Sequence, residues 1–205
     1  MGLPEQAELA LRWVREAPLM AFDTETSGLD WKRNSPIGYV FAVEGQPGIY
    51  IPVRHGGGGN LPDPNCGPMV SPTDPLVQHR FEAELAKAFQ ERVRLGHLTV
   101  GHHLKFDCHF AANAGILLGR NLSCTQNNEA LLDEYAKSYS LDASAERRGV
   151  TAKKGEDLYQ HIASIFGCAP GRKAMEYYWQ MPGDDPLVSE YAAGDGTSTL
   201  ELFLA

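Results

Sequence analysis

Ala10, Trp13, Val14 and Ala17 fall at i, i+3, i+4 and i+7, the repeat of one face of an amphipathic helix. They predict a helix over 5–17, stopped by Pro18. The pattern then changes. Leu19, Met20, Ala21 and Phe22 form an unbroken apolar run, the signature of a short buried strand, with Asp23 and Glu25 following at its end. Residues 26–29 read as a turn. Residues 37–43 and 48–53 are two β-rich runs separated by Glu44-Gly45-Gln46-Pro47, which predicts a hairpin. The first strand is therefore followed by two more, pairing antiparallel.

Between 54 and 75 the periodicity disappears. Ten of these twenty-two residues are Gly or Pro, including Gly56 through Gly59, and the stretch reads as a long mobile loop with no core of its own. The glycines lack the following helix start and the Lys with Ser or Thr that a phosphate-binding loop requires. Val77, Phe81, Leu85 and Ala88 restore helical spacing. Leu98-Thr99-Val100 is a short strand left through Gly101-His102-His103, and 104–114 reads as a helix stopped by Gly115. Further helices are expected at 126–136, at 141–148 between Ser140 as N-cap and Gly149, and around Leu158, Ile162 and Ile165 up to Gly167. The stretch 168–183 has no clear pattern beyond a helical turn at 175–179. Asp185 followed by Pro186 marks the start of a last helix that runs to the chain end. Leading strands and following helices, with one strand–helix–strand passage and no internal repeat, indicate a mixed α/β sheet with helices packed on it.

Composition narrows what such a sheet could serve. At 205 residues and 43% hydrophobic, the chain suits one domain, 1–205, with a sizeable core. No apolar run approaches the ~20 residues of a membrane span, and the N-terminus lacks a signal-peptide pattern. Cys66, Cys108, Cys124 and Cys168 form no CxxC pair, which points to a reduced cytoplasmic setting and away from structural zinc. A net charge of −8 argues against gripping long duplex DNA by phosphate neutralisation. Short single-strand contacts at a metal site, where ions bring the positive charge, remain compatible with it.

The acidic residues are where chemistry can reside. Alternate residues of a strand share a face, so Asp23 and Glu25 lie side by side, roughly 6–7 Å apart at Cα. Like charges that close disfavour ionisation unless a cation lies between them, and hard oxygens suit Mg²⁺ or Mn²⁺. The plain alternative is a pair of solvated acids leaving a strand. Asp107 falls in the first turns of a helix, where a favourable helix-dipole contact would be reason enough for an acid. Tyr191 and Asp195 share a helix face at i and i+4, and could equally be a half-buried Tyr beside a solvated Asp. Gly194 and Gly196 flank that Asp at a cost of roughly 1 kcal/mol each against alanine, a misfit that suggests close approach of another group. His97, His102 and His109 offer a competing histidine metal site, but one that explains fewer of these features.

Taken together, three segments carry a resemblance. Phe22-Asp23-Thr24-Glu25-Thr26, His103-Leu104-Lys105-Phe106-Asp107 and Tyr191 through Asp195 resemble, in order and spacing, the three motifs of the 3'-5' exonucleases named for four acids, in the subgroup with a tyrosine. The runs Leu131-Leu132-Asp133-Glu134-Tyr135 and Ser140-Leu141-Asp142-Ala143-Ser144-Ala145 are also similar. The chain most resembles the proofreading domains of family A DNA polymerases, of the DNA polymerase I type including phage versions, over nearly its whole length. The 54–75 loop is the least family-like part. One departure is His103, where the family usually has Asn.

The resemblance implies a ribonuclease H-like fold, a mixed five-stranded sheet with helices on both faces. It implies release of nucleoside 5'-monophosphates from single-stranded or frayed DNA 3' ends in a bacterial or phage-infected cell. Two divalent cations, Mg²⁺ or Mn²⁺, about 3.5–4 Å apart would clamp the scissile phosphate. Asp23 would bridge both, Glu25 and Asp195 would complete the site nearer the attacking water, and Asp107 would serve the second. Phenols titrate near 10 in water, too high for a base at neutral pH, so Tyr191 is assigned to orienting the water. Leu29 would wedge against the terminal base, Thr26 would line the same pocket, and His103 would touch substrate rather than metal. A polymerase domain or subunit is the expected partner, and no membrane. Two other readings share the motifs: a ribonuclease D-like enzyme trimming RNA, and a non-catalytic binding module, which the presence of all four acids and the tyrosine disfavours.

Overall fold

The computed structural model describes residues 3–151 and 155–205. The first apolar stripe forms α1 (Glu5–Glu16). The run after Pro18 becomes β1 (Leu19–Thr26), which extends past Phe22 so that Asp23 and Glu25 lie within the strand. β2 (Pro36–Ala42) and β3 (Ile49–Pro52) follow as the hairpin, then α2 (Arg80–Leu95), β4 (Leu98–Gly101) and α3 (Leu104–Asn113). A three-residue strand, β5 (Leu122–Cys124), leads into α4 (Thr125–Leu132). α5 (Leu141–Arg148), α6 (Glu156–Phe166), a 3-10 helix (Arg172–Gln180) and α7 (Pro186–Leu204) complete the chain.

The strands form one sheet in the order β3-β2-β1-β4-β5. β1 pairs antiparallel with β2, and β2 with β3; β1 with β4 and β4 with β5 are parallel. This is the mixed five-stranded, ribonuclease H-like sheet with helices on both faces. Because the side-chain period is two, β1 and β2 feed both layers. Phe22, Tyr39 and Phe41 pack with Leu11, Leu85 and Phe89 on one side. Val40 and Tyr50 pack with Leu158, Ile162, Tyr178, Val188 and Ala192 on the other. In the register Asp23 opposes Val40 and Glu25 opposes Gly38, so both acids belong to the second face. Among the described residues, no helix is long and apolar enough to cross a membrane.

Several expectations change. The helix expected at 126–136 ends at Leu132, where Asp133 turns extended (φ −147, ψ 91). α2 starts at Arg80 rather than near Val77, because His79 caps it: its Nδ1 accepts the Phe81 N–H at 3.0 Å, and Glu82 accepts the His79 N–H at 2.7 Å. The loop at 54–75 is irregular but strapped down. Arg54 donates to Glu82 (2.7 Å), the Pro36 carbonyl (3.0 Å) and the Val77 carbonyl (2.7 Å). Gly56 N–H donates to the Trp179 carbonyl at 2.7 Å, and Gly183 N–H to Gly58 O at 2.8 Å. The glycines serve that closeness: a Cβ on Gly57 would come within 2.5 Å of the Gln180 carbonyl oxygen. His55, fully buried, sits at the centre, with Nδ1 3.0 Å from the Met181 carbonyl and Nε2 2.5 Å from the Tyr50 hydroxyl.

Candidate active site

Two elements far apart in sequence bring three carboxylates together. β1 presents Asp23 and Glu25 on the face covered by α7. α7 begins where Asp185 accepts the Leu187 and Val188 N–H groups at 2.9 and 3.4 Å, with Pro186 in its first turn. Val188, Ala192, Gly196 and Leu200, buried at helical spacing, lay the helix across the sheet. At Gly196 a Cβ would stand 2.6 Å from Val40 Cγ1, so the glycine lets α7 settle directly on β2. Asp195, one residue earlier, thereby meets β1: oxygens of Asp23, Glu25 and Asp195 all lie within 4.8 Å of one another. All three are half-buried. Among the described residues this is the one group of three or more such side chains able to hold a metal ion, and His97, His102 and His109 do not form another. Its donors are all carboxylate oxygens, which fits a hard divalent cation such as Mg²⁺ or Mn²⁺.

Asp107 stands beside this group rather than in it. It is buried in the first turn of α3, where one carboxylate oxygen accepts the Thr24 N–H at 3.0 Å and the Thr24 hydroxyl at 2.7 Å. Burial pushes its carboxyl up to about 7; the Thr24 bonds oppose the shift and the charge of Glu25 adds to it. Thr24 thus links the strand that carries Asp23 and Glu25 to the helix that carries Asp107.

Tyr191 lies one turn before Asp195 on α7, half-buried, with its ring centroid 6.0 Å from that of Tyr178. The Tyr50 and Tyr178 hydroxyls are buried behind the acids, and burial followed by the charge of Glu25 raises both well above the ordinary phenol value. Gly38, opposite Glu25, leaves the space the Tyr50 hydroxyl enters. This phenolic wall was missed from sequence, because Tyr50 and Tyr178 read as ordinary apolar-pattern residues.

The residues expected to meet substrate lie at the β1–β2 turn and at the start of α3. Leu29 is 86% exposed. Thr26 donates its hydroxyl to the Gly28 carbonyl at 2.9 Å, which fixes the turn that carries Leu29. His103 is the N-cap of α3, exposed, with left-handed backbone (φ 61, ψ 35) and its ring 5.9 Å from Phe106. Among the described residues it is the one non-glycine with positive φ.

With this geometry in view, comparison with known proteins is specific. The profile of the 3'-5' exonuclease family matches residues 4–205. The DNA polymerase DpoZ of Salmonella phage PMBT28 is 28% identical over 186 residues, covering 90% of this chain and 25% of that protein. A DNA-directed DNA polymerase of Pseudomonas phage M6 is 33% identical over 192 residues, covering 87% and 25%. DNA polymerase I of Pseudomonas aeruginosa is 26% identical, covering 95% and 19%. The chain thus spans about a quarter of the length of the two phage relatives and about a fifth of the bacterial one. Among solved structures, Brucella melitensis NrnC with bound Mg²⁺ superposes with a TM-score of 0.59 at 16% identity, covering 94% of this chain and 73% of that one. The Aedes aegypti Nibbler EXO domain gives 0.52 at 10% identity, covering 98% and 82%. At such identities these two show a shared fold.

Proposed function

Because the chain belongs to the 3'-5' exonuclease family, we propose that it hydrolyses the 3'-terminal phosphodiester of single-stranded DNA, releasing nucleoside 5'-monophosphates. The observation that carries this reading is the convergence of Asp23, Glu25 and Asp195, with Tyr191 one turn away on α7. Water attacks the phosphorus, the bond to the 3' oxygen breaks, and that oxygen leaves as a hydroxyl after taking a proton. Asp23, Glu25 and Asp195 would hold a divalent ion and Asp107 would serve a second; when bound, such ions would supply positive charge for the phosphate and for the attacking and leaving oxygens. The chain's own residues do the positioning. Tyr191 orients the water by hydrogen bond, and Thr24 holds Asp107 against β1. Leu29 meets the terminal base, Thr26 braces its turn, and His103 contacts the strand near the cleaved bond. The matched relatives are DNA polymerases, which supports proofreading beside a polymerase domain or subunit as the biological role.

The test is degradation of 5'-labelled single-stranded DNA, run beside a matched RNA. With Mg²⁺ or Mn²⁺ the DNA should shorten one nucleotide at a time, and chelator should stop it. Chelator-resistant cleavage or loss from the 5' end would overturn the reading. Faster trimming of the RNA would move the substrate class to RNA.

A further inference from the structure

The loop between β1 and β2 is built to hold its shape. Asp30 accepts the Lys32 N–H through its carboxylate at 3.0 Å, and the Arg33 and Asn34 N–H groups through its carbonyl at 2.9 and 2.8 Å. Asn34 Oδ1 accepts the Asp30 N–H in return at 3.1 Å. The loop also leans on α3. Asn113 Nδ2 donates to the Trp31 carbonyl at 2.5 Å, and the Trp31 indole lies flat on the His109 imidazole, centroids 4.7 Å apart and planes 11° from parallel. Trp31 nevertheless keeps 37% of its surface exposed. Lys32 Nζ stands 5.4 Å from the ring centroid. Arg33 follows, largely exposed and 3.7 Å from Asp30. In a chain of net charge −8 this is a partly exposed aromatic ring with a cation over it.

Its place relative to the acids follows from α3. Each helical residue turns the chain by about 100°, so Phe110, Phe106, Asn113 and His109 follow one another around one side of the helix, with His103 capping its start. The ring contacts agree: His103 to Phe106 at 5.9 Å, Phe106 to Phe110 at 4.7 Å, His109 to Trp31 at 4.7 Å. His109 and Asn113 lie two and six residues beyond Asp107, about 3 and 9 Å along the axis, with His109 turned roughly 160° away from Asp107 around the helix. Trp31 also follows the exposed Leu29 by two residues on the same rigid loop.

We propose that the Trp31 indole, braced by His109, is a stacking platform for an unpaired base of the substrate strand more than one nucleotide to the 5' side of the scissile bond. Lys32 swings off the ring to the adjoining phosphate. The proposal rests on the exonuclease reading of the neighbouring carboxylates. Every base has a π-face, so such a platform grips without sequence preference.

The experiment compares KM for a single-stranded decanucleotide and a dinucleotide with the wild-type chain, Trp31→Leu, which keeps apolar bulk against α3, and Trp31→Phe, which keeps a π-face. Trp31→Leu should raise the ratio of the decanucleotide KM to the dinucleotide KM about tenfold or more, and Trp31→Phe should restore most of it. Equal losses on both substrates, or no loss on the decanucleotide, would overturn the platform. Equilibrium binding of a fluorescent decanucleotide in chelator separates the two ideas. A wild-type chain that cleaves nothing sinks the exonuclease reading alone, whereas equal binding by wild type and Trp31→Leu sinks the platform.

Discussion

At the scale of single residues, His103 shows how a departure from a family pattern can be read from the backbone. Its left-handed conformation is disfavoured for most side chains, and Asn enters it more readily than larger residues do. The Asn usual in the family therefore suits the backbone as well as the substrate. His103→Asn is expected to leave the melting temperature unchanged, since both residues enter the left-handed region more readily than most. Cleavage at mildly alkaline pH should be retained or increased; a loss of about a hundredfold or more would show that the imidazole has a specific catalytic part. That Asp23 shares a face with Glu25, and Tyr191 with Asp195, was legible, because a two-residue spacing on a strand and a four-residue spacing on a helix fix which face each side chain takes; that these pairs belong to one site was implied by the family resemblance. The partnership of Asp107 with Thr24 was not legible, since nothing in sequence says how far α3 leans over β1.

At the scale of elements, those with their own start and stop chemistry were legible: α5 between Ser140 and Gly149, and α7 after Asp185 and Pro186. β5 was not, because three residues carry too little alternation to separate a strand from a loop. The 54–75 loop was misread because its glycines signal close packing as readily as freedom, and the 3-10 segment it packs on lies far away in sequence. His55 gives that strap a pH limit. Burial lowers its pKa from 6.5 to about 4, and its two bonds suit the neutral ring, Nδ1–H to Met181 and Nε2 accepting from Tyr50. The unfolded chain takes up this proton near 6.5 and the folded chain only near 4. The stabilisation is thus complete above 6.5 and falls as pH drops through that window. Denaturant titrations at neutral pH and at about pH 4 should show wild type losing about 3 kcal/mol more than His55→Gln over the interval. Parallel losses in the two proteins would mean that His55 takes its proton in the folded state as well.

At the scale of the whole molecule, the carboxylate cluster sets function against stability. Asp23, Glu25 and Asp195 hold three acids within 4.8 Å in a chain already at −8. Without ions their repulsion is unfavourable; a bound divalent ion reverses it and stabilises the fold by linkage. Asp23→Ala should abolish cleavage. It should leave the ion-free melting temperature unchanged or raise it, by a stability increment on the order of 1 kcal/mol. Adding millimolar Mg²⁺ or Mn²⁺ should lift the wild-type melt and move the variant much less. An ion-free Asp23→Ala that melts well below wild type would make Asp23 a structural residue and displace the proposed metal site.

The seating of Gly196 on Val40 also bears on when activity can first arise. Asp23 belongs to one of the earliest strands made and Asp195 to the last helix, and only that close seating brings them together. Contacts so distant in sequence form late, after the intervening loops have closed. A ribosome-bound or half-folded intermediate would carry two of the three converging acids and no third. Such an intermediate would be inert toward nucleic acid, and the nuclease would switch on only as the final helix docks.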